Sequence, residues 1–353
     1  MDFSYVFPAV KGTQAKRDYY IAMVPLKMIA RLFPSDDEYV EPEFRAQRRV
    51  NQNRIPEISN YILNNRDTYV FSALAASIDG VFSFECEENS SIGNLVISMD
   101  SKFLINDGQH RKAALLEALE NDPSLLDETI PIVFFSDAGL ARSQQMFTDL
   151  NKHAVKTSNS ISELYDYRDQ IAVASRNVVS KIPFLDKYVD KEKDILGKYS
   201  SSLFTLNNIY NSNKRILGKK TCSLDDEQFL LRFWETVASH LLPWTDLENR
   251  ELTKVELREK YIVTQAVVLK SLGRLGSYYY ETEEPFDSLK KLEGVDWRRS
   301  SSNWKLRTIN EKGKMITNER AVVLTTNKIK QLLDIELDAE ELEYEKDFIQ
   351  LHS

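Results

Sequence analysis

The sequence predicts an α/β (α+β) protein in which a mixed-sheet domain over residues 1–159 precedes a mainly α-helical domain over residues 160–353. Three observations carry that prediction. Up to residue 150, short runs rich in Val, Ile, Tyr and Phe alternate with apolar residues at helical spacing, the pattern of a sheet with helices packed on it. Phe103-Leu-Ile105 runs through Asn106-Asp107-Gly108 into a series of strong helix formers, Ala113 to Leu119, which reads as strand, turn and helix. Beyond residue 160 the strand signals fade and helical segments with start signals follow one another.

Taken in order, residues 18–24 form a strand that Pro25 ends, and 26–33 a short helix before the acidic loop Ser35-Asp36-Asp37-Glu38. Asn53 caps the next helix, with Pro56 in its first turn, where a missing N–H does no harm, and with Ile55, Ile58 and Ile62 on one side. Residues 69–78 read as a nearly continuous apolar strand, and Asp79-Gly80 as the turn of a hairpin into Val81–Phe84. Leu95, Ile97 and Met99 alternate as a half-buried strand. Ile130–Phe135 is a further strand in which Pro131 marks either a sheet edge or a strand beginning, and a helix follows over 138–150. In the helical half, Ser160 and Glu163 form a capping box for a helix through Val179. Further helices run from Ser223 to Leu241 and from Lys254 to Leu275, and Thr326 caps a last one ending at Leu333. No repeat of solenoid period is present.

Composition limits the function. The 353 residues are 42% hydrophobic, enough to fill the cores of about two domains. Net charge is −8 and pI about 5.3, so contact with nucleic acid requires a local basic patch. Residues 295–330 supply one: Arg298, Arg299, Lys305, Arg307, Lys312, Lys314, Arg320, Lys328 and Lys330 stand against three acids, with Trp297 and Trp304 interleaved. The tail from Asp334 to Asp347 is almost entirely acidic, either a solvated helix or a competitor for that patch. A second, sparser basic stretch covers 187–220. Cys86 and Cys222 are far apart, which fits a reducing cytoplasm and argues against disulfide, zinc-finger and CxxC chemistry. The four histidines are scattered, so no metal site is expected. No run is long and apolar enough for a membrane and no export signal opens the chain, so a cytoplasmic protein is expected.

The chemistry-bearing stretch is Asp107-Gly-Gln-His-Arg111. A strand passing through a Gly turn into a helix leaves unpaired N–H groups and a positive dipole end. His110 and Arg111 add donors and Asp107 adds an acceptor, so the turn is either a plain structural junction or an anion site for the phosphate of a nucleotide or of DNA. Arg45, Arg48, Arg49 and Arg54 gather at the start of the preceding helix, as a solvated basic face or with Arg48 or Arg54 turned toward the same pocket.

Asp107-Gly-Gln-His-Arg111 is the motif that names the DGQHR-domain proteins, and the chain resembles the DndB family among them over nearly its whole length. Phe7-Pro-Ala-Val-Lys-Gly-Thr-Gln14, Asp67-Thr-Tyr-Val-Phe-Ser-Ala-Leu74, Gly139–Asn151, Leu164-Tyr-Asp-Tyr-Arg168 and Leu203-Phe-Thr-Leu206 carry the likeness; beyond 207 it is looser, with 324–333 its clearest piece. The resemblance implies a role in bacterial DNA phosphorothioate modification, as a regulator that binds double-stranded DNA at the promoter of the modification genes and represses them. It does not imply the sulfur-transferring enzyme, and no clustered cysteines are present for iron–sulfur chemistry. It also implies a distant likeness to the ParB/sulfiredoxin-like fold, whose comparable element binds nucleotide phosphates. Carried over residue by residue, Gly108 lets a phosphate approach, Gln109 and His110 donate to it, and Arg111 neutralises charge. Asp107 positions Arg111, holds Mg2+ or orients a water, and Asp149 and Asn151 join the same pocket. Asp107 and Arg111 become catalytic if the turn hydrolyses nucleotides, and the same turn is the active site if the protein instead nicks DNA. A homo-oligomer, and contacts with other phosphorothioation proteins, belong to the same expectation.

Overall fold

The computed structural model describes residues 3–34, 51–136, 139, 145–146, 148–150, 157–197 and 199–352. Its chain divides into two compact units, Met1–Val155 and Lys156–Ser353.

The first unit is built on seven strands: β1 (Ser4–Gln14), β2 (Arg17–Pro25), β3 (Leu74–Asp79), β4 (Phe82–Cys86), β5 (Ile92–Ser98), β6 (Lys102–Asp107) and β7 (Thr129–Ser136). They lie in the order β4-β5-β1-β2-β7-β3-β6, all neighbours antiparallel except β3 and β7, so the sheet is mixed. Three residues join β5, next to one edge, to β6, the other edge. Such a link reaches at most ~14 Å, so the sheet must curl until its edges approach one another. Ring contacts fit this: Tyr5 on β1 meets Phe103 on β6 at 6.2 Å, and Tyr20 on β2 meets Phe82 on β4 at 5.8 Å. Strand periodicity puts Phe7, Ala22, Val24, Leu74, Ile78, Ile105, Ile132 and Phe134 on the buried side. Helices α1 (Ile29–Leu32), α2 (Ile55–Asn64) and α3 (Gln109–Asn121) add Ile29, Ile62, Leu115 and Ala118 to that core.

The strand–turn–helix unit, β2, β7 and α2 stand where the sequence places them; other expectations need correction. β1 is a full strand that alternation alone did not pick out, because Pro8, Lys11 and Gly12 interrupt its apolar run. The strand predicted over 69–78 begins only at Leu74. Before it, the Tyr69 N–H turns back to the Asn65 carbonyl, and the Ser72 and Ala73 carbonyls face Arg111. Asp79-Gly80 makes no hairpin: β3 pairs with β6 and β7, whereas β4 pairs with β5. The cap before α2 is Asn51, whose side chain accepts from the Asn53 N–H in a short 3-10 turn. Pro131 lies in an interior strand, and it is tolerated because pairing with β3 starts one residue later, at Ile132. Most of the helix predicted over 138–150 lies outside the described residues.

The second unit is helical, with a two-stranded parallel pair, Val189–Asp190 and Phe204–Thr205. Its main helices are α4 (Asn159–Tyr165), α5 (Gln170–Lys181), α6 (Leu206–Leu217), α7 (Leu224–His240), α8 (Lys254–Lys260), α9 (Ala266–Thr282), α10 (Glu319–Leu332) and α11 (Ala339–His352). α9 lies against both α6 and α10. Its close approach to α6 requires Gly273, where a Cβ would stand 2.9 Å from the Ser212 carbonyl oxygen. Trp234, Trp244, Trp297 and Trp304 are all fully buried here.

Four helix boundaries differ from expectation. Ser158 caps α4 and Asp169 caps α5, so the helix predicted through Val179 is broken at Asp166, and Ser160 and Glu163 are buried rather than capping. The helix predicted over Lys254–Leu275 breaks because Tyr261 and Ile262 leave to pair with residues 297–299. Asn318, not Thr326, caps α10; the Thr326 hydroxyl lies in mid-helix against the Val322 and Ser271 carbonyls. The acidic tail is a helix, but Glu341 and Glu345 are buried rather than solvated. Among the described residues no helix is long and apolar enough to cross a membrane.

Candidate functional site

β6 carries Asp107 to the edge of the curled sheet, and the chain turns there in one residue. Gly108 has φ 101° and ψ 19°, and a Cβ on it would stand 2.4 Å from the Leu74 side chain, so both conformation and space require glycine. α3 starts at the next residue without a side-chain cap, which leaves its first N–H groups with no side-chain acceptor at the cap.

The side chains of the motif divide into two sets. Arg111 is a clamp: its guanidinium donates to Asp107 Oδ2 at 2.6 Å and to the carbonyls of Ser72 and Ala73, each at 2.8 Å. It ties the entry of β3 to the head of α3, and its side chain is one-fifth exposed. His110 Nε2 accepts from the Asn51 N–H at 2.9 Å, so that nitrogen carries no proton while the bond lasts. The bond holds Asn51, three residues before the exposed Arg54, against His110. Gln109 and Asn106 form the other set. Gln109 is buried with its Nε2 unpartnered, and the fully buried Asn106 leaves its Oδ1 unpartnered while its amide N–H meets Ser77 Oγ and Met146 Sδ. An orphan donor and an orphan acceptor therefore flank Asp107-Gly108, each costing about 1–3 kcal/mol unless met by water or ligand. Asp149 is exposed and accepts from Gln145, whereas Arg48 and Asn151 lie outside the described residues. Sequence reasoning did not find Ser72, Ala73, Asn106 or Asn51; only their position in the fold reveals them.

In the second unit the basic segment is not one patch. Arg298 is held by Asp296 at 2.8 Å, and Arg299 donates to the Tyr261 and Arg258 carbonyls while burial lowers its pKa. Arg307 makes a bidentate pair with Glu345 at 2.6 and 2.7 Å, and Lys330 pairs with Glu341 at 2.7 Å. Trp297 and Trp304 stack on each other at 5.2 Å inside the core and are not available to bases. Lys305, Lys312 and Lys314 remain, exposed and without an ion pair among the described residues, and Arg320 and Lys328, half-buried on α10, likewise have none there. Ile309 bridges to Lys305 and Met315, and the Asn310 side chain accepts from the N–H groups of Lys312 and Lys314 around Gly313, whose φ is 74°. The result is a braced loop with two lysines near its tip. Of the cysteines, Cys86 is exposed, and burial pushes the Cys222 thiol up to about 11, far from a thiolate nucleophile.

With this geometry in view, the family match becomes decisive. The family model described as DndB, DNA-sulfur modification-associated, matches residues 7–336. The chain belongs to the DndB family. The match spans both units and includes the Gly108 turn and the 305–316 loop, so the DndB assignment rests on nearly the whole chain rather than on the five-residue motif. No curated protein and no solved structure matches.

Proposed function

We propose that this DndB-family protein is a cytoplasmic DNA-binding regulator, a repressor of the genes for DNA phosphorothioate modification, acting on double-stranded promoter DNA as a homo-oligomer. The observation that supports it is the braced loop with Lys305, Lys312 and Lys314 unpaired on an otherwise acidic chain. Phosphate contacts from such lysines give binding that weakens steeply with salt. The test is Lys312→Glu with Lys314→Glu: binding to promoter DNA weakens, and the slope of log affinity against log salt falls by about 2, at roughly 0.9 for each phosphate no longer neutralised. Unchanged affinity and slope would remove the loop from the interface.

A second reading is supported by the orphan Gln109 Nε2 and Asn106 Oδ1 beside the uncapped start of α3. On it the turn holds a nucleotide phosphate, with Mg2+ at Asp107, and Asp107 and Arg111 serve hydrolysis. Asp107→Ala or Arg111→Ala then abolishes phosphate release. Wild-type protein that releases no phosphate from any nucleotide, with and without DNA and Mg2+, removes hydrolysis and leaves only binding.

A further inference from the structure

A cavity of about 440 Å3 opens in the helical unit, remote in sequence from the turn and from the basic loop. Glu163 of α4, Asp166 and Asp169 of the α4–α5 link, and Asn207, Tyr210 and Asn211 of α6 line it. Among its described lining residues none is basic. Glu163 is 91% buried (9% relative exposure), and its Oε2 has no hydrogen-bond partner. Its neighbours are otherwise engaged. Asp169 Oδ1 caps α5 and its Oδ2 accepts from Tyr210 at 2.7 Å, Asp166 Oδ1 accepts two main-chain N–H groups, and Asn211 donates to Asn207. Arg176, from α5, donates to the main-chain carbonyls of Glu163 and Asp166 and leaves the carboxylates unneutralised.

An orphan buried carboxyl beside two further acids, with no base among the described lining residues, suits a donor that carries positive charge. Among the described residues no group of three or more His, Cys, Asp or Glu is placed to hold a metal ion directly, so an organic cation is the occupant to test. The volume is that of a small organic ligand's site. We infer that this cavity binds an organic cation bearing N–H donors, an alkylammonium or guanidinium group, with Glu163 as its anchoring carboxylate. The source is either a free amine or an arginine or lysine side chain of a partner. Burial, then Asp194 and Asp169, push the empty Glu163 up to about 8, so at neutral pH it is mostly protonated. Binding then ionises it: the cation keeps all its protons, the Glu163 carboxyl loses one, and that proton leaves to the buffer.

The test is calorimetric titration of the full chain at pH 7 with methylguanidine and butylamine, each in two buffers of different ionisation enthalpy. The expected result is binding whose heat depends on the buffer, reporting proton release. Glu163→Gln should weaken it about tenfold or more and abolish the buffer dependence, as loss of a charged hydrogen bond implies. Asp166→Asn, on the exposed rim, should weaken it less. Spermidine and a capped arginine separate the sources: whichever binds tighter names a free amine or a side chain as the natural occupant. No binding of any of the four probes overturns the proposal, as does unchanged affinity in Glu163→Gln, or saturation by Mg2+ in place of the organic cations.

Discussion

Lys330 and Lys312 lie 18 positions apart in one basic run, yet they are opposites in the folded chain. Lys330 is 4% exposed and locked to Glu341; Lys312 is exposed on a loop tip with no ion pair among the described residues. Arg307 follows the first pattern, with its bidentate Glu345, and Lys314 the second. A run of like charge in a sequence is therefore not a surface feature until its counter-ions are placed. Here the acidic tail supplies them to part of the run, and what remains for an outside polyanion is a small set of lysines.

The contrast can be broken at several points. The largest effect is expected from Lys330→Ala, which leaves the buried Glu341 only its longer, 3.5 Å pair with Arg274: up to about 3–5 kcal/mol of stability, read by denaturant unfolding. Arg307→Ala should cost a similar or slightly smaller amount, again at the few-kcal/mol scale of a broken buried pair. Next comes pH. The folded Glu163 value of about 8 stands above the ordinary 4.5, so the folded chain holds a proton that the unfolded chain has lost. Stability from this group is therefore full below 4.5, falls as pH rises toward about 8, and is level beyond. Thermal melts from acid to mildly alkaline pH should show that decline in wild type relative to Glu163→Gln; parallel curves would contradict it. Smallest is Lys312→Glu with Lys314→Glu, expected to shift stability by no more than about 0.5 kcal/mol while changing DNA affinity. If it unfolds the unit, the loop is structural after all.

In the N-terminal unit the strand–Gly–helix junction was legible because each residue type there has one strong local preference: apolar β-formers, a glycine that alone tolerates the φ, then alanines and leucines. What the junction touches was not legible, because Ser72, Asn106 and Asn51 reach it through strand order, and strand order depends on pairings distant in sequence. Asp79-Gly80 shows the same limit, since a strong hairpin signal is overridden where β4 pairs with β5 instead of β3. In the helical unit Thr326 and the 254–275 run failed alike: tertiary partners, the Ser271 carbonyl and residues 297–299, outcompeted local capping and propensity. Trp297 and Trp304 are interleaved with the basic residues in the sequence, which does not reveal that they stack on each other inside the core.

The last helix changes what counts as the end of the folded unit. The family match stops at residue 336, three residues before α11 begins at Ala339, yet α11 carries both Glu341 and Glu345. A chain trimmed to the matched region would take away the anions that meet Lys330 and Arg307 and bare the side of α10 on which α11 packs. The segment beyond the family match is thus the one whose removal the core would register first, and any excision of this protein for study or reuse has to carry it along.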